Sequence, residues 1–175
     1  MKIAIVGKMC AGKSTLANDI KIIDNRYNIY SFGNNVKKIA CEIFDMKNKD
    51  RSLLINIGKY MKLIDPDIWI KSLMNQITHE YCVIDDVRHQ NELDYLIKEN
   101  WFIIHLHIDN TTQIKRITKL YPNNYSDHLK NLNDISEKSD NLIYPKNYNN
   151  FLYINANDDY HKTKMTIHSL LTKHN

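Results

Sequence analysis

The sequence predicts an α/β fold in which a parallel sheet is covered by helices on both faces. Three observations predict it. Short apolar runs recur along the chain with helical patterns between them, as βαβ units do. The first of these runs leads straight into a glycine motif that in turn opens a helical pattern. The chain has 175 residues, 43% of them hydrophobic and 25% charged, which suits one domain with a substantial core.

In chain order, apolar runs that read as buried strands lie at 2–6, 27–31, 81–85, 101–108 and 151–154. Helices are expected at 13–23, 35–44, 50–64, 66–80, 89–100, 111–120 and 158–173, the last opening at Asp158. Asp65 followed by Pro66 has the N-cap and first-turn arrangement that restarts a helix. The polar stretch from Tyr121 to Asn150, rich in Asn, Asp and Ser, shows no periodicity. A stretch of that length between core strands is usually either disordered or a functional lid, and in a kinase it would be a lid. No internal repeat is found, and 4 glycines and 3 prolines are too few for a flexible linker between domains. A single domain is expected, with a core at about 1–30, 81–120 and 150–175, a helical region at about 31–80 and a lid at about 121–149.

Lys+Arg exceed Asp+Glu by 24 to 20. A net charge of +4 helps to attract anions but is far from the basic stripe of a nucleic-acid binder, so no nucleic-acid partner is expected. The arginines are Arg26, Arg51, Arg88 and Arg116, each a scarce fork suited to phosphate. Cys10, Cys41 and Cys82 have neither CxxC nor zinc-site spacing and fit free thiols in a reducing compartment. The N-terminal apolar run is too short for a signal peptide or membrane span, which makes a cytoplasmic location the expectation.

Gly7-Lys8-Met9-Cys10-Ala11-Gly12-Lys13-Ser14 matches G-x-x-x-x-G-K-[ST] at every fixed position, between a predicted strand and a predicted helix. Its glycines allow a turn tight enough for successive backbone N–H groups to face a phosphate, and the following helix adds its positive end. Lys13 is then expected on the β- and γ-phosphates and the Ser14 hydroxyl on Mg²⁺. Cys10, inside this loop, reads as one of its small variable residues rather than a reactive thiolate.

The run Tyr81-Cys82-Val83-Ile84-Asp85-Asp86-Val87-Arg88 is an apolar strand ending in two carboxylates and an arginine. Ligands of open α/β sheets bind beyond the carboxyl ends of the strands, so these groups should share a crevice with the loop. One carboxylate can hold magnesium through water while the other orients an acceptor or its sugar. The competing reading is that one of them caps the helix starting near His89.

The loop alone does not name a reaction. A GTPase would carry Asn-Lys-x-Asp after a late strand, whereas Asn48-Lys49-Asp50-Arg51 has the wrong order and comes early. An acceptor that is already a phosphate needs alignment and charge stabilisation rather than a general base. The region 31–80 offers Lys37, Arg51, Lys59, Lys62 and Trp69 for such an acceptor, and Arg116 lies on the helix leading to the expected lid.

Beyond the loop, four segments resemble the deoxynucleoside monophosphate kinases of the phage and large-virus type, which also occur in bacteria. They are Ser31-Phe32-Gly33 with Lys37-Lys38-Ile39-Ala40 and Phe44; Lys49-Asp50-Arg51-Ser52-Leu53-Leu54 with Ile57-Gly58; Asp65-Pro66-Asp67-Ile68-Trp69; and Val83 to Arg88 with Asn91-Glu92. The resemblance covers nearly the whole length. It implies a three-layer P-loop NTPase fold with five parallel strands in the order 2-3-1-4-5, a helical monophosphate-binding insertion and a lid.

It also implies a reaction, ATP-dependent phosphorylation of a (deoxy)nucleoside monophosphate with Mg²⁺, carried out by a monomer or homodimer. The acceptor side would be Lys37, Arg51, Gly58, Trp69, Asp86, Arg88 and Glu92. The ATP side would be Gly7, Lys8, Ala11, Gly12, Lys13, Ser14 and Thr15, with Asn155 of the closing strand. Catalytic charge would come from Lys13, Arg88 and Arg116, and the metal would sit among Ser14, Asp85 and Asp86. The Ser136-Glu137 pair is similar to the family's His-x-Ser-Glu segment, with Asp134 where the histidine is expected.

Two other readings share the loop: a phosphomevalonate kinase, whose animal form also carries an Asp-x-Arg segment, and a nucleotide-binding module without turnover. Trp101 reads as a core aromatic. His105 and His107, alternating on one strand face, read as sheet histidines with no third metal ligand in the pattern.

Overall fold

A computed structural model describes residues 1–157 and 160–173. Its five strands are β1 (Lys2–Val6), β2 (Asn28–Tyr30), β3 (Cys82–Val87), β4 (Phe102–His107) and β5 (Phe151–Asn155). All pairings are parallel and the order is β2-β3-β1-β4-β5, the order the resemblance implies. The helices are α1 (Lys13–Ile23), α2 (Gly33–Ile43), α3 (Arg51–Ile64), α4 (Ile68–Met74), α5 (Gln90–Lys98), α6 (Asn110–Leu120), α7 (Tyr125–Lys130) and α8 (Tyr160–Lys173).

Central strand β1 shows why the sheet must be covered on both faces. Ile3, Ala4, Ile5 and Val6 are each 0% exposed, so neither face of this strand meets water. Ala4 and Val6 join a core formed with α2 to α5, through Val36, Leu54, Trp69 and Leu93. Ile3 and Ile5 join a second core with Leu16 and Ile20 of α1 and Ile167 of α8. The period-two alternation of a strand thus distributes one apolar run between two helical layers.

Two expectations are corrected. The helix predicted at 66–80 is confined to Ile68–Met74, and Pro66 sits in the preceding turn rather than in its first helical turn. The Asp65 carboxylate accepts from the Asp67 N–H at 3.1 Å and its carbonyl from the Ile68 N–H, a local turn that competes with helix. The stretch 121–150 is not without structure: it contains α7 and 3₁₀ turns at Ile135–Glu137 and Ser139–Asn141. The final helix runs through Lys173, while its predicted first residue, Asp158, lies outside the described residues. Among the described residues no helix is long and apolar enough to cross a membrane.

Candidate active site

Since every strand runs the same way, the carboxyl ends of β1, β2 and β3 open on one edge, and two connections there carry the polar groups. The first is the loop between β1 and α1. Gly7 leaves β1 at φ +153°, and a Cβ there would lie 2.6 Å from the Leu106 carbonyl oxygen, so only glycine lets the loop pass β4. Cys10 (φ 64°) and Gly12 (φ +99°) complete the turn in left-handed conformations. Burial pushes the Cys10 thiol up, keeping it protonated. Lys13 is buried, and its ammonium donates to the carbonyls of Gly7 at 2.6 Å and Lys8 at 2.7 Å. Burial, reinforced by the positive charge of Arg88, pulls its pKa down to about 7.

The second connection brings the β3 carboxylates to this loop. Asp85 accepts from the Ser14 hydroxyl at 2.6 Å and also from the Ser31 hydroxyl. A hydroxyl and a carboxylate placed side by side at the start of α1 are the oxygen donors magnesium prefers, so these residues fit the ion. Asp86 is used differently. Its oxygens accept from the backbone N–H groups of Phe32 at 2.7 Å and Gly33 at 2.8 Å, which are orphan donors at the start of α2. Burial and the neighbouring Asp85 raise the Asp86 pKa to about 6. Neither carboxylate caps α5. Its capping box is His89 with Glu92, whose Oε2 accepts from the N–H groups of Arg88 and His89 at 3.0 and 3.1 Å.

Opposite the loop stand the two arginines expected on the acceptor side. Arg51 opens α3 and donates through Nη2 to Glu137 Oε1 at 2.5 Å and Ser136 Oγ at 3.2 Å. Arg88, just after β3, donates through Nη1 to the same Glu137 oxygen at 2.5 Å and to the Ser136 carbonyl at 3.1 Å. Trp69 is 5% exposed and its indole N–H donates to the Gly58 carbonyl at 3.0 Å, which joins α4 to α3. One cavity of about 1050 Å³ connects the two sides, lined by Ala11 to Thr15, Lys37, Arg51, Gly58, Trp69, Asp85, Asp86, Arg88, Glu92 and Arg116 among others.

Comparison with protein families matches residues 3–141 to the family described as "AAA domain". The chain belongs to the AAA domain family. No curated protein matches the sequence significantly. Among solved structures, a gluconokinase from Sinorhizobium meliloti 1021 superposes with a TM-score of 0.59 at 12% identity, over 99% of this chain and 94% of that one. A shikimate kinase from Aquifex aeolicus vf5 gives a TM-score of 0.49 at 18% identity, over 99% of this chain and 98% of that one. The gluconokinase shares the fold of this AAA domain.

Within this AAA domain, three residues expected on the ATP side lie apart from the cavity lining. Gly7 contributes its carbonyl to Lys13. Lys8 turns away to pair with Asp140 at 2.7 Å and bond Asn110 at 3.1 Å. Asn155 accepts from Asn157 N–H groups at the end of β5. Arg116 does line the cavity, held on the loop side by donating to the carbonyls of Cys10 at 3.2 Å and Ala156 at 2.7 Å.

Sequence reasoning assigned no role to Ser31, Asp127 or Gln113. Ser31 had a signal, since it ends the second predicted strand at the edge where ligands bind. Asp127 of α7 accepts from the Arg51 N–H and the Ser52 hydroxyl, both at 2.7 Å, and so supports the start of α3. Gln113 bonds Glu137 from α6 at 2.9 Å, and nothing in its local pattern marks that contact.

Proposed function

We propose that this chain transfers the γ-phosphate of ATP to the phosphate of a nucleoside or deoxynucleoside monophosphate. The observation that carries the proposal is the single cavity in which the phosphate-binding loop faces Arg51 and Arg88. ATP would lie along Gly12 to Thr15 with Lys13 turned onto its β- and γ-phosphates, and the acceptor phosphate would meet the two arginines. The Nε of Arg51 is buried with no hydrogen-bond partner among the described residues, an unspent donor on that side. Ser14 and Asp85 would hold magnesium, which supplies charge neutralisation at the phosphates when bound.

The choice of a phosphate rather than a hydroxyl acceptor rests on the carboxylates. Those lining the cavity are Asp85, Asp86, Glu92 and Asp134. Each already accepts hydrogen bonds from the protein: Asp85 from Ser14, Asp86 from Phe32, Glu92 from Arg88 and Asp134 from Ser136. These four carboxylates are outnumbered by the lining cations, which include Lys13, Lys37, Lys59, Lys62, Arg51, Arg88 and Arg116. A phosphate acceptor, ionised near neutral pH, matches that inventory. The Asp86-x-Arg88-x-x-x-Glu92 signature supports the same choice. The stretch 121–149 would act as the cover over the transfer site, with α7 as the part resting on α3.

A coupled ADP-release assay over a panel of ribo- and deoxyribonucleoside monophosphates tests the proposal. At least one acceptor should raise the rate above the ATP-only background, and Lys13→Ala should lower that rate by about 10²- to 10³-fold. A panel in which no monophosphate exceeds background overturns it.

A further inference from the structure

The most densely bonded side chain near the cavity belongs to no substrate-facing set. Glu137 is 3% exposed and comes from a 3₁₀ turn in the polar stretch after α6. Its Oε1 accepts from Arg51 and Arg88, each at 2.5 Å. Its Oε2 accepts from the backbone N–H of Met9 at 2.8 Å and from Gln113 Nε2 at 2.9 Å. Gln113 also donates to the Met9 carbonyl at 3.3 Å, so one peptide of the phosphate-binding loop is gripped through both its N–H and a neighbouring C=O.

Two half-buried guanidinium groups converging on one oxygen are mutually repulsive. Burial and the charge of Arg88 both pull the Arg51 pKa below its ordinary value. A carboxylate between them changes the balance. Burial alone would push the Glu137 carboxyl up, but Arg88 and Arg51 hold it below the usual carboxylate range, so it stays charged. The three groups together carry a net charge of +1, and the arginines keep donors for a further anion.

We infer that Glu137 is a positioning residue of the transfer site, holding Arg51 and Arg88 side by side and fixing both to the phosphate-binding loop. This rests on the cavity being where a monophosphate meets ATP. In-line transfer needs the acceptor oxygen aligned with the γ-phosphate to within a fraction of an ångström. One carboxylate bonded to the loop through Oε2 and to the acceptor arginines through Oε1 sets that separation directly. Glu137 is not among the residues that line the cavity.

Two measurements on Glu137→Gln test the inference. The first is a thermal-unfolding cycle with Arg51→Met and needs no substrate. Glu137→Gln should lower Tm by roughly 6 °C or more, because it leaves two half-buried, converging cations uncompensated. Adding Arg51→Met should recover part of that loss, since it removes one of the repelling charges. Losses that simply add would mean that Glu137 is only packing, and would overturn the inference.

The second is steady-state kinetics with the monophosphate the wild type uses best. Glu137→Gln should raise the acceptor KM about tenfold or more while the ATP KM changes less than about threefold, with partial rescue in Glu137→Asp. Equal changes in both KM values, or none, would overturn it. A wild type that turns over no monophosphate would defeat the functional proposal alone, and the unfolding cycle would still decide whether Glu137 holds the arginines through charge.

Discussion

Lys13 lies with its ammonium against two carbonyls of its own loop, buried beside Arg88, which pulls its pKa down to about 7. At pH 8 most of the free protein therefore holds this amine neutral. A bound triphosphate favours the ammonium, so ATP binding at pH 8 should take up about one proton, and ATP affinity should fall as pH rises above 7. Calorimetry in buffers of differing ionisation enthalpy reads the uptake directly, and Lys13→Arg, always charged, should abolish it. The loop sequence singles out Lys13 as the expected phosphate ligand because G-x-x-x-x-G-K-[ST] is a local pattern. Its depressed pKa was not legible, because it comes first from burial in the assembled fold and then from Arg88, which is remote in the chain.

The short helix α7 is the clearest case of an element made by its partners. Its sequence, YSDHLK, has no apolar period long enough to read as a helix. What holds it is a set of bonds to the start of α3 and the residues just before it: Asp127 to Arg51 N–H and Ser52, Asn131 to Ser52, and Asn124 to the Lys49 carbonyl. Asp127→Ala should destabilise the fold by about 1–2 kcal/mol in urea unfolding, since it frees an orphan N–H in the first turn of α3. At α4 the control is local instead, since the turn at Asp65 delays the start of the helix. By contrast, α1 and α3 were read nearly residue for residue, as were β1 and β4. Their apolar spacing reports the face each buries, and burial is what stabilises them.

Across the whole fold, the cavity is bounded by elements from both halves of the chain, from Met9 to Thr163. A ligand that binds it should tie these elements together and stabilise the native state by mass action. ATP at about a hundredfold over its Kd should add about 2.7 kcal/mol, which for a chain of this length is a Tm rise of roughly 5–11 °C. Scanning calorimetry with and without Mg-ATP measures it, and an unchanged Tm would argue against a nucleotide site.

Local pattern was enough to place the strands, the phosphate-binding loop and the acidic end of β3, because each is written in contiguous residues whose periodicity or spacing has one physical reading. Which partner each polar group takes was decided only in three dimensions. Asp86 serves the start of α2, more than fifty residues earlier, instead of the adjacent α5, and Glu137 bonds the loop 128 residues before it. Periodicity tells which face of an element is buried, but a hydrogen bond between distant residues depends on how the chain crosses over, and that information belongs to the assembled sheet and its helical layers.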